Sequence, residues 1–328
     1  MIDRRSFLSG TGAVILAAPL AAETQQTKVF RIGFLNQGSP PPPGSKPGIL
    51  PMALHDFGYV DGRNLVIDRR WAEGKNDRFP NLAVELVALK PDAIVADSTP
   101  AAIAAAHATT TIPIVMVNVS DPVGSGLVAS LARPSSNVTG TTDFGTELAA
   151  KGVDLMHATV PKATRIAVLM SDNPAHPVQL KEIQDAAKSI GLTVLPTMTR
   201  SSEEFEKAFA SMAKQGAGTL ILLGGAPFST QRQRHKLFEL AAKTKLPTMY
   251  PSRSFVIEGG LLSYGPSLLW RYKTTAIYVD KVLKGVKPSD LPVQQPSEFE
   301  MVINLKTAKA LGLTIPPSVL GRADEVIQ

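Results

Sequence analysis

The 328-residue chain contains no cysteine. This absence excludes disulfide bonds, thiolate metal sites and a thiol nucleophile. It also excludes a lipid anchor at an export-cleavage point, because such an anchor is attached to a cysteine. The histidines do not pair at metal-ligand spacing, so we expect neither a metal site nor a cofactor. They are His55, His107, His157, His176 and His235.

Sequence motifs that mark enzymes are scarce. There is no Gly-x-Ser-x-Gly nucleophile elbow and no Walker phosphate-binding loop. Residues 124–129 match the Gly-x-Gly-x-x-Ala dinucleotide pattern, and Asp143 follows about twenty residues later. These glycines, however, follow the polar turn at 120–123 instead of a predicted strand, and the first predicted strand ends without such a motif. We therefore predict that the chain is not an enzyme, and an α/β enzyme stays as a third function class.

Long apolar runs and clusters of one charge are absent as well. No stretch after the N-terminal region approaches the roughly eighteen apolar residues that a membrane-spanning helix needs. The net charge is +6, but the basic residues are scattered, so nucleic acid is not an expected partner. A hydrophobic content of 44% with 19% charged residues is typical of a soluble globular protein. The length favours two lobes of about 100–150 residues each.

The N-terminal region has the pattern of an export signal. An arginine pair at 4–5 is followed by Ser-Phe-Leu, by a moderately apolar run over 9–20 and by small residues ending at Ala22. This order resembles a twin-arginine signal and predicts cleavage near Ala22, which would leave the mature chain in the periplasm. The alternative is a frayed helix or an uncleaved membrane anchor.

Two neighbouring stretches, 93–96 and 114–119, are short, apolar and rich in β-branched residues, as parallel strands covered on both faces are. Each is followed by a polar turn that contains a proline, Pro100 in one and Pro122 in the other. The apolar sequence after each turn predicts a helix with a Ser, Thr or Asp N-cap. Such turns direct free backbone N–H groups past the carboxyl ends of the strands, where open α/β sheets bind ligands. The alternative is that both are only well-capped helices.

The second half of the chain repeats this design. Apolar strands are predicted over 165–170 and 219–223, with polar exits at 171–174 and 224–227. The fold class predicted is α/β, with two Rossmann-like doubly wound parallel-sheet lobes joined by a hinge of crossing strands.

The predicted lobes are discontinuous in sequence. We expect the first lobe to contain 28–142 and about 266–291. The second lobe is expected to contain 143–265 and about 292–328, with the assignment of the C-terminal tail left open.

Candidate ligand-binding residues come from the strand exits and from the predicted crossings. The hydroxyls of Ser98 and Thr99 suit a ligand carboxylate, whereas an acid such as Asp121, Asp143 or Asp172 suits a ligand ammonium or is only a cap. Asparagines can orient a ligand, and tyrosines can wall a pocket or pack in the core. The ligand-binding residues predicted on these grounds are Asn36, Ser98, Thr99, Ser120, Asp121, Asp143, Asn173, Tyr250 and Tyr264.

Several motifs resemble the ABC-transporter substrate-binding proteins related to the tryptophan-binding type, and the likeness extends over residues 28–328. The motifs are FGYVDGRN (57–64), WAEG (71–74), SDPVG (120–124), LARP (131–134), NVTG (137–140) and VINLKTAKALGL (302–313). The resemblance implies a type I periplasmic binding fold that closes on a small molecule. It also implies delivery of that molecule to an ABC permease in the inner membrane, with the chain acting as a monomer.

The sequence departs from the tryptophan-binding pattern at one point. Residues 36–43 contain no His-Pro pair after the first predicted strand. The expected ligand is therefore left as an amino acid or a similar small polar or aromatic solute. A periplasmic ligand sensor that presents its bound state to a membrane receptor is the alternative function, because it would use the same two lobes.

Overall fold

The computed structural model describes residues 28–46 and 48–328. The predicted export signal and its cleavage point near Ala22 lie outside these residues. None of the helices in the described part is long and apolar enough to cross a membrane.

The first lobe is built on a five-stranded parallel sheet with the order β2-β1-β3-β4-β5. Apart from the partly buried edge strand at 65–71, its strands are short runs of mainly buried residues, which is the pattern expected for a parallel sheet covered by helices on both faces. The elements are β1 (Phe30–Asn36), α1 (Ile49–His55), β2 (Leu65–Trp71), α2 (Phe79–Ala88), β3 (Ala93–Asp97), α3 (Thr99–Ala108), β4 (Ile114–Val119) and β5 (Val138–Thr142).

The second lobe is built on a seven-stranded sheet with the order β12-β11-β10-β9-β8-β6-β7. All neighbouring strands are parallel except β10 and β11, which are antiparallel. The elements after β5, in chain order, are α4 (Gly145–Thr159), β6 (Arg165–Met170), α5 (His176–Ser189), β7 (Thr193–Met198), α6 (Phe205–Lys214), β8 (Thr219–Leu222), α7 (Gln231–Lys243), β9 (Thr248–Tyr250), α8 (Arg253–Ile257), β10 (Leu262–Pro266), α9 (Leu268–Leu283), β11 (Phe299–Asn304), α10 (Leu305–Ala310), α11 (Pro317–Leu320) and β12 (Glu325–Ile327). Of these, α9 does not belong to the second lobe.

Helix α9 follows β10 of the second sheet but packs on the first. Ala276, Val279 and Leu283 belong to the same buried cluster as Ile32 and Leu54 of β1 and α1. With α9 and α1 on one face and α2 and α3 on the other, the five-stranded sheet is covered on both sides. We propose the predicted bounds for the two lobes, 28–142 with about 266–291 and 143–265 with about 292–328, because the sheets divide the chain in this way.

Three chain segments cross between the lobes, after β5, after β10 and before β11. The first and third pair with each other, since the Thr142 amide donates to the Gln294 carbonyl at 3.0 Å. The second and third also meet, because the Ser267 amide donates to the Glu298 carbonyl at 2.9 Å. Beside them the ring of Phe299 stacks on Tyr264 with a centroid distance of 6.0 Å. These segments form the hinge.

One predicted helix is absent. Residues 120–137, all of which the structure describes, form turns and bends after β4 instead of a helix. Gly126 has a φ of 73°, a left-handed conformation that ends any helical run at that residue. The predicted helix after Pro100 is confirmed as α3, and the Ser98 hydroxyl caps it by accepting a hydrogen bond from the Ala101 amide at 3.3 Å.

We expect Gly140→Ala in β5 to lower the free energy of unfolding by about 3 kcal/mol. A Cβ atom at this position would lie 2.1 Å from the Met116 carbonyl oxygen in β4, and the φ of Gly140 is 130°. The matched control is Gly126→Ala, where the φ is also positive but no atom lies within 4 Å of the added Cβ. That change should cost about 1 kcal/mol. Urea unfolding of both variants measures the difference, and equal losses would contradict the steric explanation.

Candidate ligand-binding site

A cavity of about 340 Å³ lies between the two lobes. It is bordered by the carboxyl ends of strands from both sheets, including Asn36 and Asp97 of the first lobe and Leu222 of the second. Parallel α/β sheets bind ligands at this edge, and the volume is within the usual range for small-molecule sites.

Most of the residues predicted from the strand exits line this cavity. Asn36, Ser98, Ser120, Asp143, Asn173, Tyr250 and Tyr264 contribute to its wall. Their roles in binding stay predictions.

Thr99 and Asp121 do not line the cavity, contrary to the prediction. The Thr99 side chain is fully buried, and its hydroxyl accepts a hydrogen bond from the Ser120 amide at 3.3 Å. Thr99 therefore connects the segments that follow β3 and β4 from within the protein interior, away from the cavity. The Asp121 carboxylate closes its own turn instead, because it accepts a hydrogen bond from the Gly124 amide at 2.8 Å.

Ser98 has an unusual backbone conformation at the cavity wall. Its φ is 126°, which is rare for a residue with a side chain and is found mainly where the surrounding structure imposes it. The Ser98 amide is held by the Val117 carbonyl at 3.0 Å, and its hydroxyl caps α3. The start of α3 is thereby fixed next to the cavity.

Asp97 lies at the polar end of the cavity, at the last position of β3. The strand register places it beside Asn36, whose amide donates to the Asp97 carboxylate at 2.7 Å. The hydroxyl of Tyr272 in α9 donates to the same oxygen at 3.1 Å. Burial raises the pKa of Asp97, while the charge of Arg271 opposes that shift.

Arg271 lies next to Tyr272 on α9 and also lines the cavity. Its side chain is only 8% exposed. Within the described part of the chain, its Nε has no hydrogen-bond partner and its guanidinium forms none of the salt bridges. A cation so enclosed and unpaired is unusual in a folded protein.

The second lobe contributes a mainly apolar wall. Its lining side chains include Leu148, Ile221, Met249, Phe228, Tyr250 and Phe255. The rings of Tyr250 and Phe255 stack with a centroid distance of 5.4 Å. The lining is therefore almost entirely polar on the side of the first lobe. The second lobe supplies the aromatic and most of the apolar lining, together with polar side chains such as Asp143, Asn173 and Arg234.

His176 is a structural member of this wall. Its Nε2 donates to the Gly224 carbonyl at 2.7 Å, and its Nδ1 accepts from the Ser171 amide at 3.1 Å. Burial lowers the pKa of His176, so the neutral ring with both nitrogens bonded is favoured. The ring ties the β6 exit to the β8 exit.

Sequence reasoning missed Asp97, Arg271 and Tyr272. Asp97 carries a local signal, because it is the polar residue directly after the apolar run 93–96. Arg271 and Tyr272 carry none, because they start a helix whose position near β3 depends on the third dimension.

The comparisons with known proteins agree with this geometry. The family described as ABC transporter substrate binding protein matches residues 46–327, and the chain belongs to this family. It is thus a substrate-binding protein of the ABC transporter type, which confirms the family resemblance predicted from the sequence. A tyrosine-binding protein of Clostridioides difficile (strain R20291) is 32% identical over 263 residues, covering 80% of this chain and 74% of the relative.

Solved structures show the same fold. A Streptococcus pneumoniae ABC domain in complex with L-Trp is 30% identical with a TM-score of 0.81, covering 92% of this chain and 100% of that one. A conserved domain protein of Vibrio cholerae is 29% identical with a TM-score of 0.82, covering 91% of this chain and 100% of that one. The ligand-free, open structure of a Clostridium difficile substrate-binding protein is 28% identical with a TM-score of 0.62, covering 92% and 100%. The predicted type I periplasmic binding fold is confirmed.

We expect Asp97→Asn to stabilise the ligand-free protein increasingly as the pH rises. The folded-state pKa of Asp97 lies above its ordinary value of 3.8. Between these two values the carboxyl is ionised in the unfolded chain but still protonated in the folded protein, so the wild-type protein loses stability as the pH rises. The uncharged amide has no such loss. Melting temperatures of both proteins between about pH 4 and pH 7.5 measure the difference. An equivalent change at the exposed Asp154 is the control, and a difference that shrinks with rising pH would contradict the prediction.

Proposed function

We propose that this chain is a periplasmic binding protein that captures an amino acid or a similar small polar or aromatic solute between its lobes. It delivers that solute to an ABC permease in the inner membrane and acts as a monomer. The observation that carries the proposal is the interlobe cavity, with Asp97 and Arg271 at one end and an aromatic wall at the other. A small molecule with charged groups and an apolar side chain fits this division.

The relatives support the amino-acid class. One is described as a tyrosine-binding protein, and one structure holds L-Trp. Export to the periplasm is supported by the arginine pair at 4–5 and the apolar run that follows it.

The mechanism we propose is closure of the two lobes around the ligand. Two hydrogen bonds cross the mouth of the cleft in this structure: Asn76 donates to the Asp172 carboxylate at 2.7 Å, and the Ser229 hydroxyl donates to the Gln37 carbonyl at 3.0 Å. The TM-score is 0.81 to the L-Trp complex but 0.62 to the ligand-free open structure, at similar identity and coverage. Both observations support a closed arrangement here. A ligand that contacts both lobes selects that arrangement, and the permease recognises it.

A thermal-shift screen of the mature protein tests the function. We expect L-Tyr, L-Trp or a related amino acid to raise the melting temperature by several degrees at about 100 times its Kd, where binding contributes about 2.7 kcal/mol. Small organic acids and nucleosides complete the panel, and calorimetry on each hit gives the affinity. No shift with any of these compounds would overturn the proposed function.

Closure is tested at the mouth of the cleft. We expect Asn76→Asp to weaken binding of the strongest hit about fivefold, because two carboxylates would then face each other in the closed state. The double variant Asn76→Asp/Asp172→Asn restores an amide–carboxylate pair in the reverse direction and should recover most of the affinity. Calorimetry gives the affinities, and small-angle scattering follows the lobe separation. Equal affinity in all three proteins would exclude a role for this contact in closure.

A further inference from the structure

Arg271 is a buried cation that forms no salt bridge with any of the residues the structure describes. A guanidinium stays charged at any pH at which a protein is folded, so burial cannot be relieved by loss of a proton. Its Nε has no hydrogen-bond partner among the described residues, and the side chain is 8% exposed. The cost of enclosing such a charge is relieved only when an anion comes to it.

Two other charged side chains of the cavity, Arg234 and Asp143, already have partners. Arg234 forms a bidentate ion pair with Glu258, with nitrogen–oxygen distances of 2.8 and 2.7 Å. Asp143 accepts hydrogen bonds from the Gly145 amide at 2.8 Å and from the Ser120 hydroxyl at 3.0 Å.

Asp97 is the acid whose pKa the charge of Arg271 affects, but the two side chains form no salt bridge. One of its carboxylate oxygens accepts hydrogen bonds from Asn36 and Tyr272 instead. Asp97 therefore lies in the same end of the cavity without neutralising the guanidinium through direct contact. Among the cations that line the cavity in the described part of the chain, Arg271 is the one without an anionic partner.

We propose that Arg271 binds the carboxylate of the solute, and that this contact restricts the protein to ligands that carry a carboxylate. The planar guanidinium matches a carboxylate with two parallel hydrogen bonds, which fixes orientation as well as charge. The inference rests on the proposed function, whose solute class it narrows. Tyr272 and Asn36 hold Asp97 close by, so an amino group on the same solute meets an acid at this end of the cavity.

The position of Arg271 in the fold links the contact to closure. It lies in the first turn of α9, directly after the crossing segment that leaves β10. Its backbone is held there because the Arg271 carbonyl accepts a hydrogen bond from the Thr275 hydroxyl at 2.9 Å. A carboxylate on Arg271 is therefore bound by the first lobe beside the hinge, and the rest of the solute reaches the apolar wall of the second lobe.

The test compares the wild-type protein with Arg271→Met, which keeps the length of the side chain and removes its charge. The matched control is Lys273→Met, which removes an exposed charge from the same helix. The probes are L-tryptophan, tryptamine, which lacks the carboxylate, and indole-3-propionate, which lacks the amine, with the corresponding tyrosine series. Calorimetry gives the affinities, and thermal unfolding gives the stability without ligand.

In the wild-type protein we expect the amino acid to bind and the amine without a carboxylate to bind at least about 100-fold more weakly. Arg271→Met should lose a similar factor for the amino acid and should melt at the same or a higher temperature without ligand, because an unpaired buried charge is gone. Lys273→Met should bind as the wild-type protein does. If indole-3-propionate binds more weakly than the amino acid, the protein also recognises the amino group. If the two bind equally well, a carboxylate without an amino group is sufficient for binding.

Two results would overturn the assignment of Arg271. One is an amine that binds as tightly as its amino acid, or a screening hit without any carboxylate. The other is a clear fall in the ligand-free melting temperature of Arg271→Met, which would make Arg271 a structural residue. In the first case a solute is still captured, so the proposed function stands. If neither these probes nor any compound of the thermal-shift screen binds the wild-type protein, the proposed function fails, and the ligand-free melting temperature still decides whether Arg271 is structural.

Discussion

The return of α9 to the first lobe is the constraint on which the cavity depends. Its apolar face, including Ala276 and Val279, completes the core behind the five-stranded sheet. Its first turn brings Arg271 and Tyr272 to the end of β3, where Tyr272 donates to Asp97 at 3.1 Å. Since the same helix fills the core and supplies the polar end of the cavity, its packing fixes the site geometry. The hinge segments on either side of α9 then couple that geometry to the position of the second lobe.

The polar end of the cavity is costly to the protein without ligand. Burial raises the pKa of Asp97, and the Nε of the enclosed Arg271 has no hydrogen-bond partner in the part of the chain that the structure describes. Groups of this kind are concentrated at functional sites, because a ligand can relieve the cost that the fold imposes. The second lobe adds aromatic surface, with a stacked Tyr250 and Phe255 pair in its wall. In the binding mode we propose, the first lobe recognises the charge of the solute and the second supplies most of the apolar contact area, so full binding needs both.

Contacts across the mouth of the cleft are few and weak by comparison. The Asn76–Asp172 and Ser229–Gln37 hydrogen bonds each contribute about 1 kcal/mol or less at this degree of exposure. In the closure mechanism we propose, contacts of that size hold the two lobes together only when a ligand adds its own contacts. Delivery of the solute, as we propose it, needs such a balance between closing and opening.

Local sequence determined the strand exits, the capped start of α3 at Ser98 and the place of Asn36 beside the cavity, because apolar runs, prolines and capping residues act over a few neighbours. Only the tertiary structure decided the rest. Thr99, one position from Ser98, is turned into the interior by the packing of α3, and the turn after β4 never becomes a helix. Tyr272 meets Asp97 from 175 residues away, and Arg271 arrives with it. No local pattern encodes a contact between segments that meet only once both sheets are covered by helices.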